Sequence, residues 1–127
     1  MRSKNKKLSK AKADKYFSLY IRERDKNKPC ITCGAMATKD CGHFLSRRFE
    51  NTRYDEQNAH GQCQKCNRFE YGNQYEHGLA VDKLYGEGTS EKLRVKSRMS
   101  SSPKNQYDYE QIAEFFKNKY NELCKKN

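Results

Sequence analysis

Four of the six cysteines fall into two Cys-x2-Cys pairs, Cys30/Cys33 in "PCITCG" and Cys63/Cys66 in "QCQKCN". No other feature limits the fold so tightly. A two-residue gap turns both sulfurs of a pair toward one point, and two such knuckles complete the tetrahedral four-thiolate shell that Zn2+ accepts. The chain has need of a staple. Only 34% of its 127 residues are hydrophobic, a small core for that length, and zinc bound by thiolates supplies folding free energy of about 10 kcal/mol or more. A closed four-cysteine shell keeps no open coordination position, so this zinc is expected to be structural and any chemistry must sit elsewhere. Cys124 falls near the apolar side of the last predicted helix and reads as a small core residue, and Cys41 has no partner at this spacing. Metal, rather than a disulfide framework, fits a reducing compartment.

The formal net charge is +11 and the isoelectric point about 9.4, which points to a polyanion bound through phosphate contacts and counterion release. Residues 1–28 hold eleven Lys/Arg against three Asp/Glu, residues 29–73 six against five, and residues 74–127 ten against eight. The excess is thus an amino-terminal arm attached to a nearly neutral middle. That arm lacks the aliphatic face of a membrane-surface helix. No apolar run is long enough to span a bilayer, and the basic start leads into no hydrophobic signal segment, so a cytoplasmic, soluble protein with no membrane partner is expected.

The first ten residues read as a disordered basic arm, followed by one zinc-stabilised domain over 11–127 with a finger at about 29–73 and helices at about 74–127. From Leu8 to Asp25, Leu8, Ala13, Phe17, Tyr20 and Ile21 recur mostly at three- and four-residue steps, which predicts an amphipathic helix with a basic outer face. Gly34 and Gly42 among short apolar pieces predict a hairpin of short strands between Cys30 and Tyr54. A helix is expected to start near Cys63 or Cys66 and stop at Gly72. "NQYEHGLAVDKLYG" predicts a helix closing at Gly86, and "TSEKLRVKSRM" another capped by Thr89 or Ser90. Ser100 to Pro103 make a linker. The last helix is expected to take Asp108 as its cap, with Ile112, Phe115, Phe116, Tyr120 and Leu123 on one side.

Between and beside the knuckles lie His43 in "DCGHF", Asn58 in "DEQNAH" and Asn67 in "CNRF". This array resembles the HNH (ββα-metal) nuclease finger, and "YFSLYIRERDKNKPCITCG", "CGHFLSRR", "TRYDEQNAHGQCQKCN" and "YGNQYEHGL" resemble more narrowly the phage NinG/Rap recombination endonucleases, over roughly residues 13–88. The resemblance implies an α+β fold, a small HNH finger with a four-cysteine zinc site wrapped by helices at both ends. It implies a phage-encoded endonuclease of the host cytoplasm that cuts branched DNA, such as Holliday junctions or D-loops, with Mg2+ or Mn2+ as catalytic ion, and it leaves room for a homodimer.

Hydrolysing a phosphodiester requires a nucleophile made from water and a cation facing the charge that develops on the phosphate and the leaving oxygen. A neutral imidazole with a pKa near the working pH suits the first task, which makes His43 the expected general base. Asn67, beside a zinc ligand, offers a carbonyl oxygen to a hard ion. Asp40 is the expected acidic ligand. Related fingers often carry an acid directly before the His, where this chain has Gly42, and Asp40 lies on the Gly42 side of a strand; Asp55 and Glu70 are the fallbacks. Asn58 is a further catalytic candidate whose amide also suits bracing a loop. His60 is expected in a structural or DNA-facing role, His77 at the surface or in packing. Arg47, Arg48 and Arg53 flank the His strand as candidate phosphate clamps, while Tyr16 and Tyr20 read as core. The rival readings are a noncatalytic zinc-knuckle nucleic-acid-binding module and a nonspecific nuclease on linear duplex.

Overall fold

The computed structural model describes residues 2–69 and 73–126. It is a helix-rich α+β arrangement with two strands and five helices among the described residues, the knuckles lying just before the first strand and at the end of the second. The expected stop at Gly72 and the fallback ligand Glu70 lie outside the described residues.

No Gly or Pro interrupts the stretch from Arg2 to Asp25, and α1 spans all of it. Residues 2–10 of the segment expected as a disordered arm are therefore the first turns of this helix. Lys10 there pairs with Glu50 at 2.7 Å. Ala13, Phe17, Tyr20 and Ile21 form one buried stripe, and it packs against α5 (Gln106–Lys126). Burying each large side chain in such a stripe contributes about 1.5–3 kcal/mol. The two helices run parallel, with Ala13 beside Tyr109 and Ala113, and Phe17 and Tyr20 against Phe116. Ile112, Tyr120 and Leu123 join this core. Phe115 is left exposed, and so is Cys124, which corrects the expectation that both face inward. The α5 cap is Asn105 rather than Asp108: each backbone N–H of this pair donates to the other's side-chain oxygen at 2.8 Å, a reciprocal capping box.

The hairpin differs from expectation in its partner. β1 (Lys39–His43) pairs antiparallel with β2 (Ala59–Cys63), from Lys39 opposite Cys63 to His43 opposite Ala59. Between them lie α2 (Glu50–Arg53) and a 3-10 turn at Glu56–Asn58. Asp25, at the end of α1, accepts the Gly61 N–H at 2.8 Å, and Arg24 donates to the carbonyls of Glu56 and Ala59. These bonds fasten β2 to α1.

After β2 the chain makes a π-helical turn at Lys65–Phe69, within the stretch where a helix was expected. Then α3 (Gln74–Tyr85) and α4 (Thr89–Ser97) follow as predicted. Gly88, with φ 93°, precedes α4 and brings no side chain of its own to the cap. Ser90, expected as a cap, instead donates to Asp82 of α3 from both N (2.7 Å) and Oγ (2.9 Å). Phe44, Leu45, Val81 and Leu93 make a second core under α3 and α4. Gly78 permits it, since a Cβ there would come within 2.8 Å of the Phe44 ring. No described helix is long and apolar enough to cross a membrane.

Candidate functional site

The two knuckles meet as their spacing predicts. The ligand atoms of Cys30, Cys33, Cys63 and Cys66 all lie within 4.8 Å of one another, and Cys33 Sγ is 3.7 Å from Cys63 Sγ. A tetrahedron with Zn–S bonds of about 2.3 Å has edges of about 3.8 Å, so the cluster has the size and donor chemistry of a zinc site. Local backbone bonds shape it. Cys30 N–H donates to Ala35 O and Gly34 N–H to Cys30 O, closing the first knuckle, and Ile31 N–H donates to Gly61 O, joining that knuckle to β2. Burial pushes the Cys30 thiol up. It is outweighed by hydrogen bonds from the Thr32 side chain and the N–H groups of Cys33, Cys63 and Thr32, which bring the pKa to about 6. Three of the four cysteines are buried. Among the described residues this is the one set of three or more His, Cys, Asp or Glu side chains close enough to share an ion.

Beside it, α1, β1 and the π-helical turn enclose an open cleft of about 460 Å3. Of the sequence candidates, Asp40, His43, Asn67 and Arg47 line it, together with Asp14, Phe17, Ser18, Arg22, Cys41 and Arg68. Sequence reasoning misses Asp14, Ser18 and Arg22. Their four-residue spacing marks one helix face, but only the packing of α1 on the hairpin turns that face into a wall. Cys41 is partly buried there, and burial pushes its thiol up to about 12, so it stays protonated.

His43 is oriented by one bond. Its Nε2 lies 3.0 Å from the Arg53 carbonyl oxygen. A carbonyl only accepts, so Nε2 carries the ring proton and the neutral imidazole keeps its lone pair on Nδ1. Burial is the main force lowering the pKa to about 4, with the Arg47 and Arg53 charges adding to it and the carbonyl bond opposing it. The expectation of a pKa near neutrality is thus not met in the bare cleft. A neighbouring anion would raise it again by favouring the imidazolium.

Asp40 and Asn67 converge: Asn67 Nδ2 donates to Asp40 Oδ2 at 3.1 Å. Arg68 donates to the same carboxylate at 3.0 and 3.4 Å. Gly42 leaves room that the Gln62 side chain fills; a Cβ at 42 would collide with it.

Several candidates lie elsewhere. Asn58 is buried under the hairpin. Its Oδ1 accepts the Leu45 N–H at 2.9 Å and its Nδ2 donates to the carbonyls of Leu45 and Thr52, both at 3.1 Å. It braces the loop and lines no part of the cleft, which corrects its catalytic candidacy. Arg53 is engaged by Asp14, with Nε at 2.9 and Nη2 at 2.6 Å from the carboxylate. Burial would raise the Asp14 pKa, but Arg53 and the Tyr54 hydroxyl hold it below the usual carboxylate range. Arg53 therefore positions Asp14 and His43 rather than facing solvent. Asp55 caps the 3-10 turn and pairs with Lys96 at 2.6 Å. His60 and His77 are buried together, with His60 Nδ1 2.9 Å from His77 Nε2 and His60 Nε2 2.8 Å from Tyr85 Oη. That makes His60 structural, and His77 part of the packing.

The whole chain, residues 1–127, matches the family described as "Bacteriophage Lambda NinG protein". The chain belongs to the NinG family. Proteins named "Protein ninG" from Escherichia phage 933W and Salmonella phage P22 are each 39% identical to it over 64 residues, covering 48% of this chain and 32% of theirs. The counterpart of Escherichia phage lambda is 38% identical over 64 residues, covering 48% of this chain and 31% of its own. The match thus spans about a third of the length of these NinG relatives. No solved structure matches the chain.

Proposed function

We propose that this NinG family member is an HNH-type, metal-dependent endonuclease that hydrolyses phosphodiester bonds in branched DNA during phage recombination. The observation that carries the reading is the convergence of His43, Asp40 and Asn67 in one cleft, with Arg47 and Arg68 beside them. In this role His43 Nδ1 takes a proton from the attacking water, while the Arg53 carbonyl holds the ring in the one neutral tautomer that leaves Nδ1 bare. Binding the substrate phosphate next to His43 raises its pKa toward neutrality, which strengthens it as a base.

Asp40 and Asn67 supply hard oxygen donors on one spot once the Asn67 amide is turned over and Arg68 has left the carboxylate, a set that fits a largely hydrated Mg2+ or Mn2+. Such an ion supplies charge stabilisation to the phosphate and the leaving oxygen. Arg22 and Arg47 hold flanking phosphates, and Arg68, freed from Asp40, joins them. The zinc cluster anchors Asn67 and Arg68 through the adjacent Cys66 and takes no part in the chemistry.

The test is to incubate the purified protein with labelled junction, linear duplex and single strand, with and without Mg2+. Junction preference that requires the ion is the expected result. Equal cutting of duplex and junction supports a nonspecific nuclease, and binding without cutting supports a zinc-knuckle binding module. Either overturns the proposal.

A further inference from the structure

We propose that Phe49, with Arg48 and Arg98 stacked on it, is a second docking point that grips the phosphodiester backbone of DNA outside the cleft. This rests on the nucleic-acid half of the reading above and not on its chemistry.

Among the described residues, some arginines are paired with acids and others are not. Arg24, Arg53 and Arg68 are engaged by Asp25, Asp14 and Asp40. Arg48 and Arg98 are exposed and make no ion pair among the described residues. Both guanidinium carbons instead sit over the Phe49 ring, at 4.8 and 5.7 Å from its centre. Stacking on an aromatic face orders the fork while leaving its N–H donors at the edge, ready for a bidentate phosphate. One turn earlier on α4, Arg94 covers the Phe44 ring in the same way at 5.3 Å, which extends the basic face.

Two like charges over one ring repel each other, so the fold must hold them there. Asn51 does so from α2. Its Nδ2 donates to the carbonyls of Lys96 (2.9 Å) and Met99 (2.6 Å), pinning the end of α4 on either side of Arg98. Ser101 Oγ donates to Asn51 Oδ1 at 2.6 Å and fixes the amide. A phosphate that reaches either guanidinium offsets that repulsion. Arg47 lines the cleft and Arg48 is the next residue, so a strand leaving the cleft passes onto this platform.

The experiment titrates labelled duplex with the zinc-loaded 127-residue chain across a salt series. In Arg48→Ala/Arg98→Ala the slope of log affinity against log salt should fall by about two, close to one for each phosphate that is no longer neutralised. Lys125→Ala/Lys126→Ala, with the same reduction of charge in the last turn of α5, should leave it nearly unchanged. Phe49→Leu keeps the charge and should weaken binding by about two- to fivefold, the range of an exposed cation–π interaction. Should that variant fail to fold, Arg98→Lys reads the same loss of stacking. An unchanged slope in the double arginine variant, or an equal fall in the lysine control, overturns the proposal, as does wild-type protein that binds no DNA. Wild type that binds but never cuts leaves the platform standing and removes the nuclease reading.

Discussion

The two faces of the hairpin put the same residue type to opposite uses. Gly42 lies opposite His60, so His43 and His60 are near neighbours in the sheet. On the cleft side, His43 spends Nε2 on a backbone carbonyl, and its ring lines open space. On the other side, His60 has both nitrogens bonded, to His77 and Tyr85. The Nδ1 of His77 is buried with no hydrogen-bond partner among the described residues, a cost of about 1–3 kcal/mol, beside the Phe44 ring. A histidine is available for proton transfer only where one nitrogen has its partner outside the fold. Where both are satisfied within it, the ring is a strut between β2 and α3.

The strongest way to break this contrast is to remove what both faces share. Cys66→Ser, or chelation of the metal, is expected to unfold both faces together, since about 10 kcal/mol or more of folding free energy goes with the shell. Circular dichroism and zinc content check it, and a Cys66→Ser protein that melts like wild type with its zinc intact removes the structural role.

Acid should expose the strut next. Burial lowers the pKa of His60 to about 4 and of His77 to about 3, while each has about 6.5 in the unfolded chain. The unfolded state therefore binds more protons in this window, so the stability is complete above pH 6.5 and is lost as the pH falls toward 4. Each ring contributes up to about 1.4 kcal/mol per pH unit. His43, lowered to about 4, adds to the slope, and below that Asp14 and Asp25 lose their ion pairs. Urea melts at pH 7, 6 and 5 should show the fall, and His77→Leu should flatten it whatever its absolute stability. An equally steep fall in that variant sinks the assignment.

The cleft side sharpens the comparison in activity instead. His43→Ala should fold, keep its zinc and bind junctions while cutting roughly 100-fold more slowly or worse, the scale of a lost general base. His60→Ala should do the reverse, losing stability before activity when both are measured at a temperature where it is folded. Cleavage by His43→Ala at the wild-type rate would make His43 another strut.

The smallest effect belongs to Arg68. Its exposed ion pair with Asp40 competes with any cation there, and such pairs contribute about 0.2–1 kcal/mol. Arg68→Ala should therefore bind Mn2+ about two- to fivefold more tightly by titration calorimetry, and Asp40→Asn should not bind it at all.

Much of this is legible in the chain itself. The knuckles announce their cluster because ligand spacing is a local property, and the helices at Gln74–Tyr85 and Thr89–Ser97 follow from local periodicity and glycine stops. The hairpin is not legible in the same way, because the partner of β1 lies beyond α2, and strand pairing at that separation leaves no mark in either strand. Asp108 looks like the cap because a capping box is reciprocal, and from sequence its two ends look alike.

The sequence by itself determined the four-cysteine cluster, the basic character of α1 and the presence of His43, Asp40 and Asn67 near the knuckles. The tertiary structure alone decided which polar groups face open space. Asn58, Arg53 and Asp40 are all polar residues in turn-rich surroundings, and nothing local tells them apart. The fold holds Asn58 on the backbone of Leu45 and Thr52 and Arg53 on Asp14 of α1, and leaves Asp40 at the cleft. The role of a polar side chain depends on whether its partners come from the fold or from outside, and those partners here lie 6 to 39 residues away in the chain.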